Sequence, residues 1–565
     1  MAEYLSPGVY VEEYDHAPRA IEGVGTSTAG FVGMAQRGPV GGAPILITSY
    51  AEYNRQFGGG LSESIYRDYR YLPNAVEQFF ANGGTRCYVS RVVPKDAKMA
   101  SVTLEGLSVE AKNPGNWGNR ILVQISLSAK KKMQLLSQEK EQVYQAKSTA
   151  GFMEGDLVRF GDSYNRIVSI FDQTVTFEEE FKEQPVDQGL VPQKVLYLLE
   201  AEIQVRCEEE TEIYAGLSFN RASVDFIETR MEQSNLVRLK LQLDQKLQSP
   251  IEQIWGEGST QGNVCLEGGR DGTIENINAG TFIGEDRGPG QRTGIQAFLE
   301  NSVVSMLAVP GITIPEVMVS LVAHCENTAS RFAVLDMPRE MSDTKDLISY
   351  REMIDSSYAA MYHPWIQNFD RFSQKAEFFP PSGAVMGVYA RTDIARGVHK
   401  APANETIACT GLNINFNKGE QDILNPAGVN LIRAISGQGI RIWGARTASS
   451  NAQFRYVNIR RLFIFVEESI KANTNWVVFE PNDVTLWSRV RITISAFLDN
   501  LWRSGMLAGT TAEESYFVEI GTSTMTADDI KNGRLICNLG IAPVRPAEFV
   551  IFRITQYTAE SGAEA

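Results

Sequence analysis

Two stretches patterned for a layered α/β domain, about residues 26–93 and everything after about 290, flank a stretch that reads almost wholly as short β-strands. That interruption constrains the chain more than any single motif. In the first flank "TAGFVGMA" and "APILITS" suit short buried strands. "LPNAVEQFFANGG" suits a helix, with Pro73 at its start, Val76, Phe79 and Phe80 on one face, and Gly83-Gly84 as the stop. "RCYVSRVV" follows as a strand, the helix-then-strand alternation of layered α/β folds. Residues 101–265 change period. "RILVQISLS", "DLVRFGD", "NRIVSIF", "QTVTFEEEF" and "VLYLLEAEIQV" are strand-like and parted by Gly, Asn and Asp turns, with charge-rich "KKKMQLLSQEKEQ" interrupting them. "GDLVRFGDSYNRIVSIFDQTVTF" holds enough short strands for a small barrel.

The α/β pattern then returns. Amphipathic helices are expected in "GIQAFLENSVVSML" and "PEVMVSLVAHCENTAS", a buried strand in "RFAVLDMP", a helix in "SDTKDLISYREMIDS" with Ser342 as its N-cap, and a strand in "YAAMYHPWI". Two long helices follow. Ile459, Leu462, Phe463, Val466 and Ile470 fall on one face of the first, and Trp487, Val490, Ile494, Phe497, Leu498 and Leu501 on one face of the second. "SYFVEIG", "RLICNLGI" and "EFVIFRITQYT" are strand-like. The fold class expected is therefore α/β (α+β) and multidomain, with a core discontinuous in sequence. The division read from the pattern is an arm at 1–20, core at 21–100, an inserted β-rich outer domain at 101–265 with a small barrel at 145–200, core again at 266–420, a C-terminal domain at 421–545, and an arm at 546–565.

Charge narrows the partners. The net charge is −15 with a pI near 5.0, and a surface of that sign repels phosphate backbones, so no nucleic acid is expected. The uncharged run from Asn301 to Pro315 is broken by Pro310 and too short to cross a bilayer. The opening "MAEYLSPGVYVEEYD" has neither a basic nor an apolar leader region, so no secretory signal is expected. The cysteines at 87, 207, 265, 325, 409 and 537 share no CxxC spacing and read as reduced, mostly buried thiols.

A search for catalytic constellations returns little. There is no Gly-Lys dipeptide and hence no Walker A loop of the usual form. "GTSTA" has Ala29 where a nucleophile elbow needs its last glycine, so Ser27 reads as a strand end. His16, His324, His363 and His399 form no metal-binding pair. "GQGIRIWG" fails as a dinucleotide fingerprint because its third glycine is misplaced. No enzyme, cofactor or metal is expected.

The segments left unexplained resemble one family. "YLSPGVYVEE", "STAGFVGMAQRGP", "YAEYNRQFGG" and "GGTRCYVSRVV" are similar to the opening of contractile tail sheath proteins. "AKNPGNWGNRILVQI" matches the start of that family's inserted outer domain. "PPSGAVMGVYARTDIARGVHKAPAN" at 380–404 and "LNPAGVNLIRAISGQGIRIWGARTAS" at 424–449 are similar to its most recognisable blocks, and "YVNIRRLFIFVEESI", "FEPND" and "NGRLICNLGIAPVRPAEFVIFRI" complete the likeness. The resemblance covers nearly the whole chain in order, least securely at 127–205.

The resemblance implies a structural homo-oligomer. Such subunits form stacked six-fold rings around an inner tube, assemble extended on a baseplate, and contract to drive the tube through a target envelope. It implies tube, baseplate and terminal cap proteins as partners, assembly in the bacterial cytoplasm, no direct membrane insertion, and a place in a phage tail or phage-tail-like particle. In such sheaths both terminal arms pair as strands with the C-terminal domains of neighbours, and the C-terminal domain faces the tube. That suits Val9, Tyr10 and Val11, a strand pattern without a local partner, and the run Phe549, Val550, Ile551 and Phe552, apolar on both faces. In block 380–404, Pro380, Pro381 and Gly383 restrict and then free the backbone, while Arg391, Asp393, Arg396 and Lys400 can form fixed ion pairs. We read it as a scaffold turn of the core near the tube, a phosphate or substrate site being the alternative. A surface-binding module for a receptor or glycan is the alternative function, although the β-rich region carries only Trp117 and Trp255 at its borders.

Overall fold

A computed structural model describes residues 20–181, 195–208, 210–244, 246–549 and 551. Its centre is a nine-stranded sheet in the order Ile45–Ile47, Cys87–Arg91, Ala29–Gly33, Met306–Ala308, Phe332–Asp336, Ala359–His363, Val429–Ile435, Gly439–Ile442 and Glu405–Thr406. The strands from Cys87–Arg91 to Val429–Ile435 run parallel. Ala29–Gly33, Phe332–Asp336 and Ala359–His363 are buried at every residue, as parallel strands covered on both faces must be. Val76, Phe79, Val385 and Tyr389 from helices Leu72–Ala81 and Ser382–Arg396 pack one face. Val317, Leu321 and Leu347 from helices Pro315–Thr328 and Thr344–Glu352 pack the other.

The strand pair Ala29–Gly33 and Met306–Ala308 closes the core across the insertion, with Ala29 opposite Met306. The chain leaves and returns through a neck where Lys98 bridges Arg270 and Ser101 bridges Glu267. There the Asp96 carboxylate accepts from the Thr273 amide at 3.0 Å and hydroxyl at 2.6 Å. Beyond the neck lie a four-stranded antiparallel sheet, a three-stranded one and a closed barrel. The barrel strands run from Lys132–Lys140 to Val195–Leu198, around Met133, Tyr144, Val158, Phe177 and Leu196. Besides the neck, Arg37 and Glu210 join core to insertion at 2.9 Å across a cleft of about 290 Å³.

Several expectations are corrected. The charge-rich "KKKMQLLSQEKEQ" is not an interruption but the barrel strand Lys132–Lys140, whose alternate residues Met133 and Leu135 are buried. "GIQAFLENSVVSML" is no amphipathic α-helix: it is a 3₁₀ turn, Gly294–Glu300, then the sheet strand Met306–Ala308, because parallel pairing to Ala29–Gly33 outweighs local spacing. Asp343, not Ser342, caps helix Thr344–Glu352, accepting from the Lys345 amide at 2.7 Å. The stretch after 421, expected to open the C-terminal domain, instead gives the central sheet Val429–Ile435 and Gly439–Ile442.

Block 380–404 is likewise not a turn. After Pro380-Pro381 it forms the buried helix Ser382–Arg396, ended by Gly397 at φ +94°. Gly383 does not free the backbone. A Cβ there would lie 2.3 Å from the Ala75 carbonyl oxygen, and one at Gly387 2.5 Å from that of Phe79, so these glycines on one helix face let two helices touch backbone to backbone. At the helix start, Asp336 accepts from the Ser382 amide and hydroxyl at 2.8 and 2.6 Å and from the Gly311 amide at 2.9 Å. Burial nevertheless pushes its carboxyl up to about 6.

The C-terminal part packs helices Val457–Asn473 and Val484–Arg503 against a two-stranded antiparallel sheet, Tyr516–Ile520 with Cys537–Ile541. Asp483 caps the second helix through the Leu486 amide at 2.9 Å. Among the described residues no helix is long and apolar enough to cross a membrane.

Candidate subunit-linking site

The two described chain ends converge on this C-terminal body. At the amino end Ile21 is buried among its apolar residues. The Val24 amide donates to Ser469 Oγ at 3.0 Å, and Asn473 Nδ2 donates to the Glu22 carbonyl at 3.0 Å. Thr26 closes the segment: its hydroxyl donates to Asp393 Oδ2 at 2.7 Å, and its carbonyl accepts from Arg461 at 2.9 Å. Arg461 and Asp393 pair at 2.5 Å, both side chains 3% exposed. Two helices and the amino-terminal segment are thus pinned at one buried charge pair.

At the carboxyl end the chain leaves strand Cys537–Ile541 and runs extended across the core. The Ala508 amide donates to the Ala542 carbonyl at 2.8 Å, and Asn458 reaches the Val544 carbonyl at 3.4 Å. Glu548 is then seized by three side chains. Arg446 donates to both carboxylate oxygens, at 2.9 and 2.7 Å, Asn425 to one at 2.6 Å and the Tyr456 hydroxyl to the other at 2.8 Å. The pocket is pre-set: the Asn430 side chain holds the Arg446 amide and carbonyl, each at 2.7 Å. Burial pushes the Glu548 carboxyl up, but the donors from Arg446, Asn425 and Tyr456 outweigh it and leave it below the ordinary carboxylate value. Immediately beyond, Phe549 and Ile551 are 74% and 80% exposed. Val9, Tyr10, Val11, Val550 and Phe552 lie outside the described residues.

Each strand of the two-stranded sheet has a single strand partner, so both outer edges are open among the described residues. Phe517 and Leu539 on that sheet are exposed. Open sheet edges, and a chain end with bare apolar side chains, are each features that strand addition between molecules uses.

The 380–404 residues serve the interior of one subunit. Pro380, Pro381 and Gly383 are buried. Arg391 donates to the Thr406 carbonyl at 2.7 Å and stands 3.8 Å from Glu405, which Lys400 also reaches at 3.2 Å. Asp393 goes to Arg461. Arg396 is exposed and, among the described residues, forms no ion pair. Sequence reasoning missed Glu548, Arg446, Asn425, Tyr456 and Arg461. The one hint was an acidic residue directly before the apolar run at 549–552.

Among the described residues nothing comparable gathers around the histidines, and His16 lies outside them. His324 lies 3.3 Å from Arg331, and burial, then that cation, push it down to about 4. Burial also lowers His363 to about 4. No group of three His, Cys, Asp or Glu able to hold a metal occurs among the described residues.

Comparison with known proteins gives this geometry its context. Residues 288–448 match the phage tail sheath protein central domain, and residues 449–556 the phage tail sheath C-terminal domain. The tail sheath protein of Escherichia phage P2 is 25% identical over 295 residues, 50% of this chain and 70% of that one. The fold is similar to that in the sheath complex of an extracellular contractile injection system in its contracted state, with a TM-score of 0.53 at 21% identity, covering 99% of this chain and 100% of that one. The sheath tail protein Lin1278 of Listeria innocua superposes with a TM-score of 0.53 at 13% identity, over 93% and 97% of the two chains. The chain belongs to the contractile tail sheath family. Its role is structural, as a sheath subunit of a phage tail or tail-like particle.

Proposed function

We propose that this subunit polymerises as stacked six-fold rings around an inner tube, in an extended and metastable state, and contracts to drive the tube through a target envelope. The observation that carries the reading is the anchored tail: Glu548 is locked to its own body, and the apolar side chains of Phe549 and Ile551 directly after it are bare. Strand addition uses many backbone hydrogen bonds and few side-chain constraints, so linked arms can hold while the bodies rotate and slide. The solved relatives agree in kind: one is a helical sheath in a contracted state, another a baseplate that is six-fold symmetrised.

In this reading residues 1–20 and those after Glu548 are the linking arms. The β-rich insertion faces outward, and the C-terminal domain faces the tube. The partners are further copies, the tube, the baseplate and a terminal cap, without nucleic acid, cofactor, catalysis or membrane insertion, and assembly takes place in the bacterial cytoplasm. Negative-stain microscopy of the expressed chain tests it: ringed tubes or cogwheels are expected from the full chain, and none from a chain lacking residues 1–20. Normal tubes from that deletion would refute the linkage.

A further inference from the structure

We propose that the seam between the α/β core and the C-terminal body is a hinge, that the Arg461–Asp393 pair is its pivot, and that the two chain ends set its angle. Helix Val457–Asn473 forms the body's side of the seam. It sends Leu462 and Val466 into the body's apolar cluster and Val457 and Ile464 towards the core's. It also meets the core through polar groups. Arg461 pairs with Asp393 at 2.5 Å, Arg460 donates to the Ser357 hydroxyl at 2.9 Å, and Asn458 donates to the His399 carbonyl at 2.7 Å. Beside the pivot the seam is not filled. A half-open hollow of about 230 Å³ lies between Ile464 and Phe465 of the helix, Val303 and Val304 of the core, and Val24 of the amino-terminal segment. Protein interiors are close-packed, and domains joined through a seam that is neither wholly apolar nor wholly filled move relative to one another by default.

Both described chain ends cross this seam, and they cross it in opposite senses. Coming in from the amino end, the chain is held first by the body. Ile21 lies in its apolar cluster, and the Glu22 carbonyl and Val24 amide bond to Asn473 and Ser469, each at 3.0 Å. Only then does it reach the core, where the Thr26 hydroxyl donates to Asp393 at 2.7 Å and the Thr26 carbonyl accepts from the Ser305 hydroxyl at 2.6 Å. Coming in from the carboxyl end, the chain is held first by the core, through Arg446 and Asn425 on Glu548. It reaches the body at Ala542, whose amide donates to the Ser515 carbonyl and whose carbonyl accepts from the Ala508 amide, both at 2.8 Å. A pull on the amino end therefore loads the body first, and a pull on the carboxyl end loads the core first. Acting together, the two pulls work on opposite halves of the hinge, and hinge angles are set at a few such points. The seam angle follows the tension in the arms, so the movement of a neighbour reaches into a subunit as a turn between its two halves. That neighbours pull on these ends rests on the sheath reading; the hinge itself does not.

The test replaces Glu316, on core helix Pro315–Thr328, and Lys531, on body helix Ala527–Lys531, with p-acetylphenylalanine. Both positions are exposed. Each ketone carries a nitroxide, and their separation is read by double electron–electron resonance in the full chain, diluted in unlabelled chain so that only distances within one subunit count. Ser469→Ala with Asn473→Ala cuts the amino end from the body, and Glu548→Ala cuts the carboxyl end from the core. Each should widen the distance distribution. Val303→Trp, which fills the hollow, should narrow it. Val303 is 42% exposed, so this variant keeps its fold, and a width that it leaves unaltered overturns the proposal whatever the other variants do. A width unaltered by both cuts overturns it as well. A chain that forms no tubes overturns the sheath reading and leaves the hinge to be judged on these distances alone.

Discussion

Arg446 grips Glu548 through two parallel contacts, Nε to Oε1 at 2.9 Å and Nη2 to Oε2 at 2.7 Å, across 102 positions of sequence. A guanidinium fork on a carboxylate fixes direction as well as distance. It divides the described tail sharply, with the chain up to Glu548 held by its own subunit and the side chains of Phe549 and Ile551 beyond it exposed.

The clamp should be acid-labile. The carboxyl of Glu548 is held below its ordinary value of 4.5 by its donors. Its stabilisation is therefore full above that value and is lost as pH falls through the depressed folded value. Hydrogen exchange at the Arg545, Ala547, Glu548 and Phe549 amides, taken relative to the intrinsic rate at each pH, should accelerate in that acidic window. In Glu548→Gln it should already be faster at neutral pH, by the equivalent of about 1–3 kcal/mol, and should no longer respond to acid. Equal protection in both proteins would refute the clamp.

Ile551→Asp should abolish assembly without unfolding the monomer. The side chain is 80% exposed in the isolated subunit, so a charge there costs the monomer nothing. Enclosed by neighbours and unpaired, it would cost several kcal/mol, of order 2–7 for a buried polar group without a partner. Circular dichroism should match wild type while sedimentation shows no large particles. Normal assembly would mean that this residue does not link subunits.

Gly383→Ala and Gly387→Ala should each destabilise the core by about 1–3 kcal/mol, since the added methyl meets a backbone carbonyl that cannot swing aside. Gly59 is the control. Nothing lies within 4 Å of its Cβ position, and Gly59→Ala should leave the unfolding temperature unchanged.

Removing Arg461 alone should be worse than removing the pair. Arg461→Met leaves the Asp393 carboxylate, 3% exposed, with only the Thr26 hydroxyl, a loss of about 3–5 kcal/mol. Arg461→Met with Asp393→Leu should recover much of it. Urea unfolding of the two single variants and the double variant measures the coupling, and strict additivity would contradict the pairing.

Asp336 should give the opposite pH dependence to Glu548. Its folded value, pushed up to about 6, exceeds the ordinary 3.8, so its contribution is fullest below 3.8 and is lost as pH rises through about 6. Asp336→Asn should flatten the unfolding temperature across that window, and an unchanged profile would exclude this carboxyl as its source.

Much of the architecture was legible because burial on two faces leaves a plain mark. "RFAVLDMP" and "RCYVSRVV" could hardly be anything but covered strands. Trp487 to Leu501 kept helical spacing over several turns. The failures share a cause, which is that contacts distant in sequence overrode local pattern. Met133 and Leu135 point into a barrel, but lysines and glutamates around them hid the alternation. "PPSGAVMG" reads as a turn until Gly383 and Gly387 are seen as one helix face pressed on Ala75 and Phe79. Glu548 was invisible for a simpler reason: its three partners are contributed by separate stretches of chain, and none of them neighbours it in sequence.

The barrel leaves from strand Ile121–Ser128 and returns into strand Glu200–Cys207, and Ser128 and Glu200 are direct partners across that antiparallel pair. Departure and return are thus a single rung apart. A two-residue hairpin turn spans such a rung, so the whole barrel can be excised and the pair closed without shifting the register of the sheet beneath. The same rung is a socket: any domain whose termini lie a strand's width apart could be plugged in and, on a polymer of this subunit, displayed at regular intervals along its length.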